Sequence, residues 1–329
     1  MGGSKRGFSH IVTTRISSRV DLAANASALV AAVLFGASVV AVRVAVRDIP
    51  PTTLAVLRFG GGVTVLLGAI AVIHPELLRT NVRSLRTAAL LGAIFFSLFP
   101  LSFNAGLQYT QASRGALMLA TMPIWSMLLA RWVVGERLVA RQMLGIGLSL
   151  CGVLIVVAER GLVLESDGRA FLGDALVLLT AFWGALYGVL AKRALSREHA
   201  LTLVSYAMLI GTILLLPIAL AEGLVAELGQ LDSSLAGNVL FLAIPGGAIA
   251  FGLWTFALAR LSPTQVTVYI NLNPVVAATL GVVLLSERAT PVFLASFVAV
   301  LAGVALVNWP VSEPPSSRSH LQSKSPPVF

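Results

Sequence analysis

Long apolar runs, broken only by short polar intervals, fill the chain from residue 26 to residue 308. A helix needs about 20 mostly apolar residues to cross the hydrocarbon of a bilayer. Stretches of about that length occur at 26–46, 52–73, 87–107, 112–134, 141–158, 171–191, 201–221, 236–258, 264–285 and 291–308. They are continuous and rich in Leu, Ala and Val, without the strict alternation that marks the strands of a membrane barrel. The expected fold is an all-α integral membrane protein with ten transmembrane helices. Residues 1–25 and 309–329 are polar, with Ser, Pro and basic side chains, and read as disordered tails. The N-terminal run is full length with no small-residue cleavage site, so it reads as a retained helix rather than a signal peptide.

A repeat runs through this pattern. At a spacing of 151, Pro123 matches Pro274, Glu136-Arg137 matches Glu287-Arg288, and Gly152-Val153 matches Gly303-Val304. Earlier in each half the spacing is 148, pairing Phe35-Gly36-Ala37 with Trp183-Gly184-Ala185. The halves are residues 26–158 and 171–308, each of five helices. An odd number makes the second half enter the membrane from the opposite side, which predicts two inverted five-helix repeats. In secondary transporters built this way, substrate binds near the midplane between the repeats.

Charge fixes the orientation. Only 11% of residues are charged, against 57% hydrophobic, and the net charge is +9. The Lys and Arg residues fall in short clusters between apolar runs. With the N-terminus inside, sixteen lie on the inner side and six on the outer, and Arg58 is left within a helix. Both termini are therefore expected in the cytoplasm, in a multi-pass protein of the cell membrane. No basic stripe is interleaved with aromatics, so nucleic acid is not an expected partner. The single cysteine, Cys151, excludes an internal disulfide and reads as a small buried hydrophobe. The histidines all lie outside the apolar runs, so no metal cluster forms from them there. No Walker motif is present, and no cofactor is expected.

Several segments together resemble the EamA-type members of the drug/metabolite transporter superfamily. In the first half these are Thr53-Leu-Ala-Val-Leu-Arg58-Phe59, Asn104 through Ser113, Thr121-Met-Pro123 and Gly135-Glu136-Arg137. In the second they are Trp183-Gly-Ala-Leu-Tyr187, Asn271-Leu-Asn-Pro274 and Ser286-Glu287-Arg288. The motifs are short, but their order and spacing cover nearly all of residues 26–308. The resemblance implies export or uptake of small metabolites by alternating access and names no substrate. It also implies a basic residue near the end of the first helix, where Arg43 replaces the Lys common in the family.

The candidate substrate residues are the polar and aromatic side chains within the spans. A charge inside a span costs at least about 2.5–3.5 kcal/mol on insertion scales. Arg58 therefore either faces a cavity or snorkels to the outer interface. Its counterpart in the second half is Tyr206. Tyr269, Asn271 and Asn273 stand where the first half has Met118, Ala120 and Met122. Beside Pro274, these amides either bind substrate or satisfy neighbouring helices. Asn104 has the same two readings. Trp183, Tyr187 and Trp254 either line an aromatic cavity or form packing and interfacial belts. Glu136 and Glu287 read as turn residues at helix starts. Small-residue spacings such as Gly145-x-x-x-Ser149 and Ala295-x-x-x-Ala299-x-x-x-Gly303 predict close helix packing, either within the chain or in a homodimer.

These features favour a secondary transporter that exports a small molecule through the lipid bilayer. An enzyme would need a nucleophile, an acid–base pair or a metal cluster, and the spans offer none of these. The alternative is a channel or a non-transporting membrane sensor.

Overall fold

The computed structural model describes residues 21–46, 48–109, 118–136, 139–159, 168–229, 232–285 and 290–309. Regular structure among these residues is entirely helical. Most of the expected tails fall outside them, but Asp21 and Trp309 are described, and Leu22–Asn25, expected in the tail, already belong to the first helix. There Asp21 caps α1 (Leu22–Ala45), accepting a hydrogen bond from the Ala24 N–H at 3.0 Å. Proline at the first helical position, where no donor is needed, starts α2 (Pro51–Ile73). The third helix, α3, runs through Val82–Leu91, a π-helical segment Gly92–Leu98, and Phe99–Tyr109. Next come α4 (Met122–Val133), α5 (Ala140–Glu159), α6 (Gly168–Ala194) and α7 (Ala200–Ala221).

The eighth helix, α8, repeats the plan of α3: Ser233–Ala243, a π-helical segment Ile244–Ile249, and Ala250–Arg260. In α9 the chain passes from Pro263–Thr267 through a 3₁₀ turn, Val268–Asn271, into Leu272–Leu285. Pro291–Asn308 forms α10. Among the described residues, six segments are long and apolar enough to cross a membrane: Leu22–Val42, Pro51–Ile73, Val82–Gly106, Phe171–Ala194, Ala200–Ala221 and Ser233–Arg260. Two shorter apolar helices, Ala140–Ile155 and Leu294–Asn308, accompany them.

Helix contacts follow a pattern that survives adding five to each label. Helix α3 packs on α6, and α8 on α1; α4 packs on α6, and α9 on α1. Likewise α2 contacts α8 while α7 contacts α3, and the pairs α2–α7 and α5–α10 map onto themselves. The α5–α10 pair is the closest, because small residues let the backbones meet. A Cβ on Gly145 would come within 2.8 Å of the Gly303 carbonyl oxygen, and one on Gly303 within 2.7 Å of Ser149 Cβ. Gly145, Ser149 and Gly303 thus serve packing within the chain, whereas Ala295 of the second spacing is exposed. Cys151, expected to be buried, is instead exposed on α5, because that helix turns Gly145, Ser149 and Gly152 toward α10.

The α2–α7 pair is tied at both ends. At one end, the Thr53 N–H donates to Glu222 Oε2 (3.0 Å). At the other, the Thr202 hydroxyl donates to the Leu77 carbonyl (3.1 Å) and the Tyr206 hydroxyl to the Leu78 carbonyl (2.6 Å).

Candidate functional site

Helices of both halves meet in a cluster of aromatic rings. Phe251 of α8 lies 4.8 Å from Phe35 of α1, 6.0 Å from Phe59 of α2, 5.4 Å from Phe95 and 5.0 Å from Phe96 of α3. From α6, Tyr187 stands 4.6 Å from Phe95 and 6.1 Å from Phe96. Trp254 closes the far side, edge-on to Phe35 at 5.8 Å. Most of these pairs are tilted or edge-to-face, the arrangement ring quadrupoles favour. Trp183, half-buried, packs against the same core. Composition hides the phenylalanines of this cluster, since Phe in a spanning run looks like any other apolar residue.

Arg58 stands beside the cluster. Its guanidinium lies 5.3 Å from the ring centre of Phe59, and its NH2 group donates to the Gly246 carbonyl at 3.0 Å. That carbonyl belongs to the π-helical segment of α8, where Pro245 supplies no N–H and the regular helical ladder is interrupted. Among the described residues no carboxylate reaches Arg58, and its Nε is buried without a hydrogen bond. Two further polar groups are buried without a hydrogen bond, one in the cluster and one on α9. The Tyr187 hydroxyl is buried beside Thr255 without reaching hydrogen-bond geometry, and Asn273 Oδ1 is buried without a partner. The Asn273 backbone abuts Gly36, the neighbour of Phe35. Buried polar groups are almost always paired, so this set is suited to a polar guest.

The other candidate residues are placed elsewhere. Asn104 reaches from α3 to the Pro51 carbonyl at the start of α2 (3.3 Å). The Tyr269 hydroxyl donates to Asn25 Oδ1 (2.8 Å), joining the starts of α9 and α1. Tyr206 bonds Leu78, beyond the far end of α2 from Pro51, so it stands roughly 20 Å along that helix from Arg58. Asn271 is fully buried and donates to Ser149 Oγ of α5 at 2.6 Å.

Glu136 does more than start a helix. It follows Gly135, whose φ of +72° turns the chain out of α4. Its carboxylate crosses to the first turn of α9, accepting from Ser262 Oγ (2.7 Å) and Thr264 Oγ1 (3.1 Å). Burial pushes its pKa above the ordinary carboxylate value, and the Ser262 and Thr264 hydroxyls partly offset this. Its counterpart Glu287 and residues 110–117, which include the start of the expected fourth span, lie outside the described residues. Asp174 lies near the start of the span Phe171–Ala194, in the second turn of α6. Among the described residues no group of three or more His, Cys, Asp or Glu is placed to hold a metal ion.

A bundle of apolar helices enclosing an aromatic, cation-bearing centre is the architecture of an integral membrane protein. The EamA-like transporter family model matches this chain twice, at residues 22–158 and 171–309, and the chain belongs to that family. Among similar proteins, the probable terminal-alkyne amino-acid exporter of Streptantibioticus cattleyicolor is 30% identical over 70% of this chain and 75% of its own length. The probable amino-acid metabolite efflux pump of Salmonella typhimurium is 29% identical over 84% of this chain and 92% of its own. A solved crystal structure superimposes with a TM-score of 0.72 at 19% identity, over 86% of this chain and 95% of the other, a likeness of fold. The chain is a multi-pass membrane transporter.

Proposed function

We propose that the chain exports a small carboxylate-bearing metabolite, of amino-acid type, by alternating access between two inverted five-helix repeats. The observation that carries this reading is Arg58, a guanidinium without a carboxylate partner beside an aromatic cluster drawn from both halves. A charge at such a position calls for a counter-charge, and a guanidinium pairs bidentately with a carboxylate. The rings of Phe95, Phe251, Tyr187 and Trp254 then offer apolar surface to the substrate's side chain, and Trp183 and Asn273 border the same space. Asn104, Tyr206 and Tyr269 act at the helix ends, and Asn271 supports α9 from behind. The relatives named as amino-acid exporter and efflux pump agree with this substrate class and direction. The helix contacts that survive exchange of the halves, and the π-helical segments shared by α3 and α8, support the inverted arrangement.

Counterflow in proteoliposomes tests the reading. Vesicles preloaded with an unlabelled aliphatic or aromatic amino acid should transiently accumulate the labelled form above its equilibrium level. A channel would let label equilibrate without overshoot, and a sensor would move none. Either result, across a panel of amino acids and their N-acylated derivatives, would reject the carrier.

A further inference from the structure

Away from the centre, a pocket of 340 Å³ lies between the N-terminal end of α3 and the C-terminal end of α6. Arg83 of α3, Arg193 of α6 and Arg197 of the α6–α7 turn line it, and all three are exposed. None forms an ion pair among the described residues. Glu198 also borders the pocket and accepts a hydrogen bond from the Ser84 hydroxyl, so the lining carries a net charge of about +2.

The rest of the lining is different in character. Leu90, 54% exposed, and Leu190 line the same pocket, and Leu90 lies seven residues beyond Arg83, or about 10 Å along α3. The pocket therefore changes from cationic to apolar along the helix axis. A free anion would use only the first part. A phospholipid uses both, with its phosphodiester among the arginines and the head of an acyl chain against the leucines.

Basic residues at helix ends alone would reflect the orientation bias of membrane proteins. Other arginines of the chain show what that bias looks like without a pocket: Arg79, Arg86 and Arg131 line none of this space, and Arg260 pairs with Asp21 at 3.6 Å and stacks on Phe256. The convergence of three unpaired guanidinium groups over an apolar wall distinguishes the α3–α6 pocket. We infer that it is a binding site for an anionic phospholipid headgroup, of the phosphatidylglycerol type. The α3–α6 seam is a contact between the halves, so a bound lipid bridges them.

Native mass spectrometry of the full chain in neutral detergent tests the site without depending on transport. Wild-type protein should retain phosphatidylglycerol in preference to phosphatidylcholine. Replacing Arg83, Arg193 and Arg197 together by Gln should weaken retention about ten-fold or more. The same change at Arg79, Arg86 and Arg131, which removes equal charge outside the pocket, should have little effect. Glu198→Gln should tighten binding, a gain that no folding defect imitates. Equal loss in the two triple variants would reduce the effect to general charge. Displacement of the lipid by millimolar inorganic phosphate would identify a free-anion site instead. Unchanged or weaker binding in Glu198→Gln would also overturn the assignment.

Discussion

A guanidinium stays charged at any pH a cell meets, so Arg58 brings a permanent cation into the bundle. The Gly246 carbonyl neutralises only part of it, and Nε has no partner. In the proposed carrier, Arg58→Ala should lower the initial counterflow rate about ten- to a hundred-fold, the scale of a lost charge-assisted hydrogen bond. Arg58→Lys should fall between the two, because the charge remains while the fork is lost. Equal rates for wild type and Arg58→Ala, in protein of equal abundance, would assign the residue to interfacial anchoring. The sequence made Arg58 conspicuous because a charge in an apolar run stands out. It could not show that Tyr206, its counterpart, hydrogen-bonds near the opposite end of α2, since register says nothing of where a side chain reaches.

Helix α9 shows how one residue type serves two ends. Its 3₁₀ turn, Val268–Asn271, leaves backbone groups without the regular ladder, and Asn271 pins the turn to α5 through Ser149. Asn271→Ala should therefore lower the thermal midpoint of purified protein by an amount equivalent to about 1–3 kcal/mol, the penalty for unpairing a buried polar group. Ser149→Ala should cost less, and the double variant should cost clearly less than the sum. Full additivity would show that the two side chains do not act as a pair. Helix lengths in this protein were largely legible from the apolar runs, with α2, α7 and α10 matching to within a residue or two. The π-helical segments were not. They arise where the ladder shifts by one residue over a few turns, and Gly92 or Pro245-Gly246-Gly247 carry no distinctive hydrophobic pattern. Tyr187 and Trp254 were legible as aromatic candidates, but the five phenylalanines they pack with were missed for the related reason that Phe carries no polar label.

For the molecule as a whole, the uneven distribution of Lys and Arg predicts both termini in the cytoplasm. In a Cys151→Ser background, cysteines at Leu164 and Leu231 should react with impermeant thiol reagents in intact cells, and one at Arg83 should not. The exposed native thiol must be removed first. Outside labelling of Arg83→Cys would overturn the expected orientation.

The exchange pattern among the helix contacts bears on how the two end states of such a carrier would be populated. If the halves were identical in sequence as well as in packing, the inward-open and outward-open forms would be images of each other and equally populated. Any preference of the resting protein must then originate in positions where the halves disagree, such as Arg58 against Tyr206 and Asn271 against Ala120. Each 1.4 kcal/mol of such disagreement shifts the ratio about ten-fold. In the proposed carrier the resting bias would lie in such mismatches, and exchanging the residues at Arg58 and Tyr206 and at Asn271 and Ala120 across the halves should shift it.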